Sequence, residues 1–133
     1  MAITSSVLKF ETNATLIACG IDSEHIIRFS KYGYEEGRPS PFIYSQKEID
    51  YYMSLDDPIT GLCVAFCCKE AVYKALKQAY NFDTCQIYWE KSISTYTFHL
   101  ANSMCDRFEV LEQYALVDIS PEGECIVVVY LLG

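Results

Sequence analysis

The chain has 133 residues, 51% of them hydrophobic and 21% charged, and a formal net charge of −8. That apolar share excludes intrinsic disorder, and the length suits one core rather than two, so we expect a single domain spanning residues 1–133. Eighteen acidic against ten basic residues, with no cationic cluster, argue against nucleic acid as a partner.

Met1 to Glu11 is moderately apolar and runs into the turn-like Thr12-Asn13. Thr15 to Ile21 reads as a buried strand that stops at Asp22, and Ser23 to Phe29 as a short helix with Ile26, Ile27 and Phe29 on its apolar side. Gly33, Gly37, Pro39 and Pro41 then mark a loop. Ser45 followed by Glu48 is a capping-box signal for a helix to about Met53. Asp57-Pro58 opens a second helix, with an acceptor at the N-cap and proline at the first helical position. Its pattern continues to about Tyr80 and ends at Asn81.

The rest of the chain is dominated by β-branched and aromatic residues. Thr84 to Glu90, Ser94 to Leu100, Tyr114 to Ile119 and Cys125 to Leu131 read as strands, with Asn102 to Leu111 as a short helix or loop. Pro121-Glu122-Gly123 supplies the last hairpin turn. This order predicts an α+β fold in which a long helix packs on a small, mainly antiparallel sheet.

The longest uncharged apolar stretch, Ile126 to Leu132, is far short of the roughly 20 residues of a membrane span. No basic stretch followed by an apolar run opens the sequence, so a cytoplasmic location is expected, with no membrane partner. Seven cysteines, an odd count, then read as free thiols in a reducing compartment. Cys63 and Cys67 lie one helical turn apart, but zinc needs a second close pair, and His25 and His99 are isolated. Buried small hydrophobes are the default for these thiols.

At about 100° per residue, Leu62, Ala65, Phe66, Val72, Tyr73 and Leu76 fall in one broad apolar arc of the long helix. Glu70 and Lys74 sit one turn apart at its edge, and Lys69 projects near its middle. The plain reading of Glu70 and Lys74 is a surface i,i+4 pair, and that of Lys69 a lysine snorkelling out of the arc. An unpaired charge on an apolar face is costly, however, and that cost invites a functional reading. Asp22, at a strand end, suits either a turn or an ion.

Taken together these residues resemble a family. Gly20-Ile21-Asp22 with Arg28 six residues after the aspartate, and Phe66-Cys67-Cys68-Lys69-Glu70-Ala71-Val72-Tyr73-Lys74-Ala75-Leu76, are similar to the two motifs of the holo-acyl-carrier-protein synthases. These are the small-type 4′-phosphopantetheinyl transferases. The likeness spans about Thr15 to Leu132 and leaves residues 1–14 as an N-terminal extension. It implies a Mg²⁺-dependent transferase that moves phosphopantetheine from coenzyme A to a serine of an acyl carrier protein, as in fatty acid or polyketide biosynthesis.

By the same likeness, Asp22 and Glu70 match the metal-ligand positions, a role that suits hard Mg²⁺. Lys69 and Lys74 match lysines near the phosphates, where they would offset charge on the leaving 3′,5′-ADP. Glu70 and Lys74 are the expected catalytic residues, and either a metal-bound water or Glu70 would take the serine proton. Ser120 falls at the family's phosphate-contacting hairpin segment, and Arg28 and Lys31 at its carrier-docking surface. Members are commonly homotrimers.

Two departures stand out. Where the family carries Ser-x-Ser-His, this chain has Asp118-Ile119-Ser120-Pro121. Its docking region, residues 29–38, is broken by glycines and includes Glu35 and Glu36. They suit a second reading, a catalytically impaired paralogue that serves as a coenzyme A-binding or assembly module.

Overall fold

The computed structural model describes residues 15–27, 34–35, 38–77, 85–90 and 95–133. Strand β1 (Leu16–His25) is followed by a short ladder of β2 (Tyr34–Glu35) and β3 (Arg38–Pro39). Helices α1 (Gln46–Met53) and α2 (Pro58–Leu76) come next, then the hairpin β4 (Cys85–Glu90) and β5 (Thr95–Leu100). Helix α3 (Asn102–Phe108) leads into β6 (Glu112–Ile119) and β7 (Glu124–Leu132). The fold is α+β, as expected.

The main sheet is antiparallel, in the order β1-β7-β6. Strand β7 is central, and its run of Val127, Val128 and Val129 is buried on both sides. Gly20 pairs with Val129, Asp22 with Val127 and Glu24 with Cys125, so these residues share the sheet face that carries α2. Contact there is very close. A Cβ at Gly20 would collide with the Ala71 carbonyl of α2, so only glycine lets the strand lie this near the helix.

Helix α2 starts where Asp57 and Pro58 predict. The Asp57 carboxylate accepts from the Thr60 backbone N–H at 3.2 Å and from its hydroxyl at 2.7 Å. Its far end differs from the expectation: Lys77 adopts a left-handed conformation (φ 54°) and its N–H closes on the Tyr73 carbonyl. The helix therefore stops at Leu76, and the expected end at Tyr80 and Asn81 lies outside the described residues. Neither is it a simple amphipathic rod. Twelve of its nineteen residues are buried, while Tyr73, expected in the apolar arc, is exposed.

Strand β1 also differs from the sequence reading. It runs through Asp22 to His25 because Ser23, Glu24 and His25 pair with Ile126, Cys125 and Glu124 of β7. Helical backbone begins only at Ile26. Asn102 to Leu111 resolves as helix α3 followed by the left-handed Glu109. Ser45 and Glu48 form the full capping box of α1.

Candidate functional site

Sheet and helix bring Asp22, Glu70 and Lys74 together. Asp22 leaves β1 on the α2 side, and Gly20 two residues earlier sets the close approach. Lys74 extends from α2 so that its Nζ lies 2.7 Å from Asp22 Oδ1 and 3.3 Å from the Ile21 carbonyl. The Asp22 side chain is 14% exposed and that of Lys74 53%. Glu70, one turn before Lys74, is half-buried.

The electrostatics of the three groups are linked. Partial burial pushes the Glu70 carboxyl above its ordinary value, the Asp22 charge pushes it further, and Lys74 opposes both. The ammonium of Lys74 is held up chiefly by its hydrogen bond to Asp22. A carboxylate whose proton affinity is raised by a second one suits a cation, and hard carboxylate oxygens suit Mg²⁺. The donor set thus fits the expected ion.

Lys69 lies elsewhere. It is fully buried, its Nζ 2.9 Å from Glu48 Oε1, and the Glu48 side chain is fully buried too. This corrects both sequence readings of Lys69: it neither snorkels to solvent nor stands at an open phosphate site. The sequence marks Glu48 only as a capping residue, yet its Oε1 accepts from the Ser45 N–H and from Lys69 together. The signal for this pair was the cost of a lysine in an apolar arc, which demands a carboxylate partner.

Ser120 belongs to the β6–β7 turn. Its hydroxyl accepts from the Glu124 N–H at 3.1 Å, its carbonyl accepts from the Gly123 N–H, and its own N–H donates to the Glu124 carbonyl. Pro121 is exposed beside it. Arg28 and Lys31, the expected carrier contacts, lie outside the described residues, as does the extension 1–14. Among the described residues, no helix is long and apolar enough to cross a membrane.

The fold has counterparts among solved structures. The chain superposes on holo-[acyl-carrier-protein] synthase from Neisseria meningitidis with a TM-score of 0.71 at 16% identity, covering 88% of this chain and 98% of that one. For a holo-ACP synthase from Plasmodium yoelii the TM-score is 0.74 at 12% identity, covering 92% and 98%. For the Helicobacter pylori synthase in complex with coenzyme A it is 0.62 at 22% identity, covering 85% and 98%. At these identities the likeness establishes the fold. No curated protein sequence matches the chain. A sequence profile, however, matches residues 18–120, the stretch that holds Asp22, Glu70, Lys74 and Ser120. By that match the chain belongs to the 4′-phosphopantetheinyl transferase superfamily, of the holo-acyl-carrier-protein synthase type.

Proposed function

We propose that the chain transfers 4′-phosphopantetheine from coenzyme A to a serine of an acyl carrier protein, with Mg²⁺ held by Asp22 and Glu70. The observation that carries this reading is the convergence of Asp22, Glu70 and Lys74 where β1 lies against α2. In the reaction the carrier serine oxygen forms a bond to the β-phosphorus of coenzyme A, and the bond to 3′,5′-ADP breaks. Mg²⁺, when bound, would neutralise pyrophosphate charge.

This chain's own groups supply the rest. Lys74 reaches solvent, so its ammonium is available to an incoming phosphate in exchange for Asp22. There it offsets charge developing on the 5′-phosphate of the leaving 3′,5′-ADP. The Glu70 carboxylate is the acceptor we assign to the serine proton. Lys69 and Glu48 have no substrate contact in this scheme; their pair holds α1 on α2. Ser120 shapes the β6–β7 hairpin, and its hydroxyl hydrogen would serve a phosphate oxygen.

The Helicobacter pylori relative was solved in complex with coenzyme A, which supports that substrate here. Exposed Leu16, Ile17 and Ile21 on β1 and Tyr114 on β6 leave apolar surface on the outer side of the sheet, which fits burial between copies in a homotrimer. The test is direct. Incubation with coenzyme A, Mg²⁺ and a panel of apo carrier proteins should add the mass of phosphopantetheine to one of them, and Glu70→Gln should abolish it. Pro121, in place of the family histidine, favours the second reading of a coenzyme A-binding module. Saturable coenzyme A binding without transfer to any carrier would establish that reading instead.

A further inference from the structure

Three buried cysteines meet behind the sheet–helix interface. Cys63 and Cys67 stand one turn apart on α2, and Cys125 points at them from β7. All three are fully buried, and their sulfurs lie within 4.8 Å of one another. The sequence offered only the helical pair, because the third thiol is 58 residues further along the chain and arrives through the register of β7 on β1.

We propose that Cys63, Cys67 and Cys125 form a three-sulfur binding site for a soft monovalent metal ion, copper(I). A thiolate–metal bond of about 2.3 Å in a trigonal arrangement separates the sulfurs by about 4 Å. The three sulfurs already stand close to that spacing, on two elements fixed by the core. The donor set then selects among ions. Thiolate ligands exclude Mg²⁺ and Ca²⁺ and favour Cu(I) or Zn²⁺. Structural zinc needs four ligands, and among the described residues no fourth His, Cys, Asp or Glu joins the group. Full burial also denies zinc a water as fourth ligand.

On binding, each coordinating thiol passes its proton to solvent, and no electron is transferred. The site is independent of the transfer reaction proposed above.

The experiment uses the full chain, reduced and kept free of oxygen, titrated with copper(I) against the chromophoric chelator bathocuproine disulfonate. The expected result is one copper retained per chain, and X-ray absorption showing sulfur ligands alone at about 2.3 Å. Cys125→Ser and Cys63→Ser should lose the metal while Cys19→Ser and Cys105→Ser keep it. Because core substitutions threaten folding, circular dichroism accompanies each variant, and the absorption spectrum of the unsubstituted chain is decisive without them. Nitrogen or oxygen ligands, copper bridging two chains, retention by folded Cys125→Ser, zinc bound in preference, or no copper at all would each overturn the proposal.

Discussion

Two lysines five residues apart on α2 form ion pairs of similar length in opposite surroundings. Lys69 meets Glu48 at 2.9 Å with both side chains wholly buried, while Lys74 meets Asp22 at 2.7 Å with more than half of its side chain in water. A buried pair cannot exchange partners without stranding a charge, so it fixes structure. An exposed pair is exchanged at little cost, so it is free to serve a ligand. The same short motif thus carries one lysine that locks two helices and one that is available for chemistry. What separates them is the position of the nearest carboxylate, not helical periodicity.

The comparison breaks most visibly at the buried pair. Lys69→Met or Glu48→Gln should lower stability by about 3–5 kcal/mol, because each leaves an uncompensated group in the core. The double variant Glu48→Met with Lys69→Met should recover most of that loss, as seen in urea midpoints at unchanged m-value. At the exposed pair, Lys74→Met should change stability by less than about 1 kcal/mol. Its transfer rate should nonetheless fall by roughly 10²–10³, the scale of losing one charge-stabilising donor. Rate and stability would thereby separate the two lysines, each variant hitting one and sparing the other.

Between these extremes sits Gly20, which determines whether Asp22 reaches the helix at all. Gly20→Ala places a methyl against the Ala71 carbonyl, so strand and helix must part. We expect a cost of about 1–3 kcal/mol, typical of overpacking. Transfer should fall as well, since Asp22 and Glu70 move apart. The same substitution should leave the Glu48–Lys69 pair undisturbed, because that pair joins α1 to α2 rather than β1 to α2.

How much of this was legible in the sequence follows from the range of each interaction. The start of α1 at Ser45 and that of α2 at Asp57-Pro58 are local devices, and both were read correctly. The extension of β1 through His25 was not, since Ser23–His25 gain strand conformation only from pairing with β7, a hundred residues away. The helix end at Lys77 was hidden as well, because a non-glycine residue takes the left-handed cap. Asp22, Glu70 and Lys74 were found through the family motifs, and their convergence is a tertiary fact that periodicity alone does not contain. The burial of Lys69 is invisible to periodicity because its partner Glu48 lies 21 residues away on another helix. The approach of Cys125 to Cys63 and Cys67 is equally non-local.

The finest test sets two glutamates against each other. Glu48 is stabilising through its buried pair with Lys69, so its neutral variant is weaker. Glu70 has the opposite sign. Its carboxyl is raised above the ordinary 4.5 by burial first and by Asp22 second, so the folded chain holds its proton more tightly than the unfolded chain does. That stability is fully present below the unfolded value and is lost as pH rises through the folded one. Glu70→Gln should therefore be slightly more stable than the parent at neutral pH without Mg²⁺, and the advantage should vanish on acidification below the ordinary glutamate range. Carbon NMR of the Glu70 carboxyl in Mg²⁺-free protein should show its midpoint above 4.5, moving down in Asp22→Asn and up in Lys74→Met. A midpoint insensitive to both would mean that strand and helix do not share a field, and the site would lose its electrostatic basis. Movement in both directions would show a carboxyl kept at a cost in stability, which is what an ion-binding residue, unlike Glu48, is expected to be.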